Sequence, residues 1–146
     1  MKPIEVIVKK PDMEEKVIFE ILEKTEKISR AIDILQEPDE MQVYDDENRL
    51  YKVSLSDILY IDSIDAVTFV YSDEMIYTSK KKLYELEEEL PEQLFLRVGK
   101  GVIVNIKKIK NVSPFGGGRF EAILQNDEKV VISRKYVPNL KARLGL

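Results

Sequence analysis

A chain of 146 residues with formal charge −4 and 44% hydrophobic residues fits one domain with a short appendage, large enough to bury a core. It has no Cys and no His, which excludes a disulfide framework and a thiolate metal site, and removes the commonest general base and the usual near-neutral pH switch. No apolar run approaches the roughly 18 residues of a membrane span, and the N-terminus is too short and too charged for a signal peptide, so a cytoplasmic, cofactor-free, non-enzymatic protein is expected.

Ile4 to Lys9 read as a strand, with Ile4, Val6 and Val8 on one face. Pro11-Asp12 breaks it, and Asp12 is placed to cap a helix. Val17, Ile18, Ile21 and Leu22, then Ile28, Ala31, Ile32 and Leu35, follow at amphipathic helical spacing, with Thr25 as a break between two helices. Glu37-Pro38-Asp39-Glu40 is a linker. This β–α segment, residues 1–40, cannot bury its apolar face alone. It either caps the following sheet or pairs with a second copy to make a homodimer.

Residues 41–146 read as mainly β. Gln42–Tyr44 and Leu50–Val53 form a hairpin around the acidic turn Asp45 to Asn48. Ile58–Ile61 is a buried strand, Asp62 to Asp65 interrupts it, and Val67–Tyr71 resumes. Met75–Thr78 is another strand. Lys80-Lys81-Lys82 precedes a helix with Leu83, Leu86 and Leu90 on one face, which Pro91 ends. Tyr44, Tyr51, Tyr60, Tyr71 and Tyr77 alternate within strands as core or sheet-face residues.

From Leu94 onward apolar strands alternate with basic turns. Val102, Ile103, Val104 and Ile106 form a β-branched run, and Phe120, Ala122 and Leu124 recur at the period of a half-buried strand. Gly116-Gly117-Gly118 and Asn126-Asp127 are turns, and Val137, Leu140 and Leu144 begin a last helix at Pro138. The whole reads as a β-meander. Residues 94–146 carry +8 and residues 1–93 carry −12, so the C-terminal half suits a polyanion partner. The alternative is a set of solvated basic turns. Gly116-Gly117-Gly118 is not a phosphate-cradling loop, because no helix opening on Lys-Ser or Lys-Thr follows.

The order Asp57-Ile58-Leu59-Tyr60-Ile61-Asp62-Ser63, Leu83-Tyr84-Glu85-Leu86-Glu87, Phe95-Leu96-Arg97-Val98, Ile103-Val104-Asn105 and Ile132-Ser133-Arg134-Lys135-Tyr136 resembles the LytTR-type DNA-binding domain. The match runs from about residue 41 to 146. It implies an elongated arrangement of short antiparallel sheets with one or two short helices, α+β overall, binding double-stranded DNA at promoter repeats through loops between strands. The short N-terminal segment resembles that of small stand-alone bacterial regulators of this family, which lack a receiver domain. By the same analogy a regulatory membrane protein is a partner. One departure stands out: the family's Arg-x-His-Lys-Ser-x-Ile is Arg97-Val98-Gly99-Lys100-Gly101-Val102-Ile103 here, so a loop expected to face DNA has lost two polar side chains.

The resemblance assigns Arg134 as the leading DNA contact, a guanidinium fork able to bridge guanine O6 and N7 or to grip a phosphate. Ser133 precedes it in the same motif. Lys100 sits between Gly99 and Gly101, where the backbone can approach a phosphate closely. Lys135 and Arg97 suit phosphates, although Arg97 could equally pair with Glu87 or Glu88. The segment Ser63 to Thr68 corresponds to another DNA-facing loop, where Asp65 could accept from a cytosine amine. Lys82, at a helix start where positive charge is unfavourable, suits a phosphate or plain solvation. The expected function is thus a sequence-specific transcription regulator. The alternative is a protein-interaction module working through its acidic half.

Overall fold

The structure is a computed structural model and describes residues 4–12, 14–36 and 38–146. The chain divides into two compact units, Met1–Leu35 and Gln36–Leu146.

In the first unit, residues 4–10 form no strand, and their apolar side chains stand in solvent, Ile4 at 90% and Val8 at 91% exposure. The alternating pattern is real, but a strand is stable only in a ladder, and among the described residues none pairs with these. Asp12 lies in a turn and starts no helix. The helix α1 is Glu26–Gln36, the second of the two helices that the apolar spacing predicts; the first, over Val17 to Leu22, does not form. Thr25 is the reason for the start of α1: its Oγ1 accepts from the Ile28 N–H at 3.3 Å, and its carbonyl accepts from Ser29 at 3.0 Å. Upstream, β-branched Val17, Ile18 and Ile21 lose side-chain freedom in a helix and remain exposed in irregular backbone.

The second unit is built from ten strands in two antiparallel sheets, with two helices. The strands are β1 Glu40–Tyr44, β2 Leu50–Ser54, β3 Ile58–Ile64, β4 Val67–Ser72, β5 Ile76–Ser79, β6 Phe95–Gly99, β7 Val102–Asn105, β8 Ile109–Gly116, β9 Arg119–Leu124 and β10 Lys129–Ile132. The helices are α2 Leu83–Glu89 and α3 Val137–Leu144. Seven strands pair in the order β2-β1-β5-β4-β3-β7-β6, and three in the order β10-β9-β8. The expected meander is therefore split. Its first two strands complete the large sheet, and only the last three make a sheet of their own.

The β1–β2 hairpin is organised by a buried carboxylate. Asp45 accepts from the N–H groups of Glu47 at 3.0 Å and Arg49 at 2.7 Å, and from Arg49 Nε at 2.7 Å. Burial pushes this carboxyl up, but the Arg49 N–H and guanidinium together hold it below the ordinary aspartate value.

The β3–β4 connection is tighter than its sequence suggests. Asp62, Ser63 and Ile64 belong to β3, and Ile64 pairs directly with Val67. Only Asp65 and Ala66 turn, at φ 51° and 65°, the two-residue pattern whose twist matches the flanking strands. On this hairpin Tyr60 stacks on Tyr71 at 4.2 Å between ring centres, and the Tyr71 hydroxyl donates to Asp62 at 3.1 Å. Burial, then the nearby Asp62 charge, pushes the Tyr71 hydroxyl up to about 12. Burial also raises the Asp62 carboxyl, against the hydrogen bond that pulls it down.

Successive residues of the central strands feed two separate cores, by the period of two in β7 and, in β3, with a register shift between Ile58 and Tyr60 that puts Ile58 and Ile61 in the same core. Ile58, Ile61, Val70 and Ile103 join Val43, Leu55, the α2 residues Leu83 and Leu86, and Leu90 just beyond that helix. Leu59, Val98 and Val104 join Ala122, Leu124, Val130 and Ile132 of the small sheet, with Val137 and Leu140 of α3. The second core thus ties the three-stranded sheet and α3 to the back of β6 and β7.

Candidate nucleic-acid interface

Strand pairing brings several chain reversals to one edge of the seven-stranded sheet, the one lined by strand ends. Thr68 pairs with both Ser63 and Ser79, so the end of β5 lies beside the β3–β4 turn. Asp62 pairs with Val102, and Val102 with Gly99, so the β6–β7 turn lies beside β3. Lys80-Lys81-Lys82, Asp65-Ala66 and Gly99-Lys100-Gly101 follow from these strand ends. The small sheet adds the segment after β10: the Ser133 N–H donates to the Val98 carbonyl at 2.8 Å, which sets Ser133, Arg134 and Lys135 next to the β6–β7 turn.

The β6–β7 turn is held from three sides. The Ser63 N–H donates to the Gly101 carbonyl at 2.9 Å. A Cβ on Gly101 would stand 3.2 Å from the Ser63 carbonyl oxygen, so the glycine allows a close approach of two backbones. Gly99 is buried and faces Ser133 Oγ, with room for a methyl at 3.5 Å. The third support is Arg97. Its Nε donates to the Gly99 carbonyl at 2.7 Å, its Nη2 to the Lys100 carbonyl, and its Nη1 to Glu87 of α2 at 2.6 Å. The side chain is only 17% exposed.

Arg97 is therefore a brace for the turn, not the phosphate contact suggested by its charge: three of its nitrogens already serve internal acceptors. Removing it leaves two turn carbonyls and Glu87 without that partner. Arg97→Ala is expected to lose about 1.5–3 kcal/mol of stability, the range for hydrogen bonds that involve a charged group. It should also weaken duplex binding several-fold through a loosened Lys100; thermal melting and fluorescence anisotropy on one preparation check both.

The other candidate residues divide clearly. Lys100, Arg134 and Lys135 are exposed, and none makes an ion pair among the described residues. Lys135 Nζ stands 5.6 Å from the centre of the Tyr136 ring. Arg134 lies in the short 3-10 turn Arg134–Tyr136, its stem against the backbone of Gly118 in the β8–β9 turn. Lys82 is exposed just before α2, with its N–H donating to Glu85 Oε1 at 3.3 Å. Its neighbours are engaged elsewhere, Lys80 over the Tyr44 ring at 4.2 Å and Lys81 with Glu89. Asp65 is exposed, and its left-handed backbone is one that Asp tolerates better than most residues. Thr68 does not belong with them. It is 5% exposed and paired on both sides within the sheet, out of reach of a ligand at the edge.

Two roles escaped the sequence reading. Asn105, at the end of β7, is fully buried. Its Nδ2 donates to the Ile58 carbonyl at 2.8 Å and the Leu55 carbonyl at 3.4 Å, and its Oδ1 accepts from Lys107 at 3.0 Å. Gly118 is the other, since its packing against Arg134 joins segments from different turns.

Comparison with known proteins bears on the family and the fold. The family model described as LytTr DNA-binding domain matches residues 48–145. The sensory transduction protein LytT of Enterococcus faecalis is 32% identical over 100 residues, covering 68% of this chain and 41% of that protein. The transcriptional regulatory protein LytR of Staphylococcus aureus is 24% identical over 100 residues, with 68% and 41% covered. This chain thus spans about two-fifths of the length of such relatives. A solved LytTr DNA-binding domain from Bacillus cereus superposes with a TM-score of 0.70 at 28% identity, covering 75% of this chain and 99% of that one.

Proposed function

This chain belongs to the LytTR DNA-binding domain family, and from that membership we propose that it is a sequence-specific transcription regulator that reads double-stranded DNA with loops between strands. The observation that carries the reading is the convergence of the β3–β4 turn, the Gly99–Gly101 turn and the Ser133–Lys135 segment on one edge, with Lys100 and Arg134 unengaged among the described residues. In this reading Arg134 meets a base edge, while Lys100 and Lys135 meet phosphates. Ser133 and Gly99 support the segment that carries Arg134, and Gly101 seats the Lys100 turn on β3. Asp65 and Lys82 flank the contact, and Arg97 and Thr68 serve the scaffold. Two copies on a repeated site complete the proposal. The names of the LytT and LytR relatives support the regulatory part.

The test is fluorescence anisotropy with a labelled duplex from the chain's own promoter and a scrambled duplex, at several salt concentrations. Preference for the promoter is expected, with log affinity falling against log salt by about 0.9 for each phosphate neutralised. Equal affinity for both duplexes at every salt concentration would remove sequence specificity. No binding even at low salt would turn the reading toward a protein-interaction module.

A further inference from the structure

The β8–β9 turn lies beside the proposed reading head and takes no part in the DNA contacts assigned to it. Its glycines Gly116, Gly117 and Gly118 all hold positive φ, at 86°, 64° and 78°. Arg119 is folded into the same turn, with Nε donating to the Gly116 carbonyl at 3.1 Å and the guanidinium 5.0 Å above the Phe115 ring. That leaves the turn compact and its Gly118 backbone bare. A Cβ built on Gly118 would fall 2.7 Å from Cδ and 2.9 Å from Cγ of Arg134. No real side chain tolerates such distances, and the clashing atoms lie mid-stem, so the whole guanidinium would swing away. At Gly117 the nearest atom is Arg119 Nε at 3.8 Å, with no part of Arg134 within reach.

We infer that Gly118 is a positioning residue for DNA readout: the bare turn is a platform on which the Arg134 stem rests, and the platform aims the guanidinium. The inference rests on the reading that Arg134 meets DNA. It makes sequence preference depend on a residue that touches no base.

The two glycines provide the control. Gly117→Ala and Gly118→Ala carry the same left-handed backbone cost, but only the second displaces Arg134. In the promoter-against-scrambled anisotropy experiment, Gly118→Ala should lose about tenfold of the preference, the scale of one bidentate base contact. Affinity for scrambled duplex and the melting temperature should match those of Gly117→Ala. Placed on Arg134→Ala, Gly118→Ala should cost no further preference. In the free protein, NMR relaxation of the Arg134 side-chain Nε–H should show lower order in Gly118→Ala than in Gly117→Ala. Equal loss of preference in the two glycine variants would overturn the inference, because turn strain alone would then explain it. So would full preference in Gly118→Ala, an added loss in the double variant, or unchanged Arg134 order. A parent chain with no preference for any duplex removes the DNA reading and the readout role with it, and the relaxation measurement then decides the packing alone.

Discussion

Arg134→Ala is expected to weaken promoter binding about 10- to 100-fold, the effect of losing one bidentate base contact worth roughly 1–3 kcal/mol, while leaving the fold intact. The side chain is exposed and makes no ion pair among the described residues, so its truncation opens no cavity and orphans no charge. Its backbone neighbours keep their places through the Ser133–Val98 and Tyr136–Ser133 hydrogen bonds at 2.8 Å each. The loss should fall on the promoter duplex and spare the scrambled one, which converts a specific binder into a non-specific one. Lys135→Ala is the natural companion: without its ammonium group on a phosphate, both duplexes bind more weakly to the same degree and the salt slope falls by about one. Titrations of both variants against both duplexes separate the two behaviours. An Arg134→Ala chain that keeps promoter preference would place base readout elsewhere on the edge.

The largest stability effect is expected away from that edge, at Asn105. Asn105→Ala removes a side chain that joins the end of β7 to the turn Leu55–Asp57 and the start of β3. The Ile58 carbonyl and the Lys107 N–H lose this partner, and the Leu55 carbonyl keeps only the Ile58 N–H. A buried group left unsatisfied costs roughly 1–3 kcal/mol, so losing the Ile58 bond together with the weaker Leu55 and Lys107 bonds gives a loss of about 2–3 kcal/mol. For a unit of this size that lowers the melting temperature by roughly 10 °C or more. Urea denaturation should show a lower midpoint with an unchanged slope. Asn105→Asp tests the cause: it keeps an acceptor for Lys107 but cannot donate to the two carbonyls, and should be nearly as damaging. A variant as stable as the parent would mean that those carbonyls find other donors.

Much of the second unit was legible because its strands obey the period of two and its turns use residues with a local reason to turn. Phe120, Ala122 and Leu124 mark β9, and Leu83 and Leu86 mark the buried face of α2, with Leu90 closing it just past the last turn. The errors have physical causes as well. Ser63 and Ile64 look like loop because they follow an acid and precede another, but ladder bonds to β4 hold them in strand. Thr68 sits close to the turn in sequence, but the pleat turns it inward. The N-terminal alternation Ile4, Val6, Val8 states a preference that no neighbouring strand satisfies among the described residues. Of the candidate interface, the exposed basic positions were readable from their motifs. The use of Arg97 was readable in half: its pairing with Glu87 was one of the two alternatives, but its hold on the Gly99 and Lys100 carbonyls was not, since one charge suits a phosphate and a backbone carbonyl equally well. Gly118 was unreadable for another reason: its partner comes from the segment after β10.

The brace on the β6–β7 turn has a consequence for how recognition would be timed. Two glycines around Lys100 suggest a floppy tip that freezes only on its target, at a cost in conformational entropy. Glycine loses more backbone freedom on ordering than any other residue. Here that freedom is already removed when the chain folds, because Arg97 holds both adjoining carbonyls and is itself moored to α2. Encounter with DNA then has little left to freeze, and ordering costs of about 0.5–1.5 kcal/mol per immobilised side chain are confined to the lysine itself. A loop stripped of two polar groups can in this way keep a fast, rigid-body approach to its target, its shape maintained from behind and not by the residues it displays.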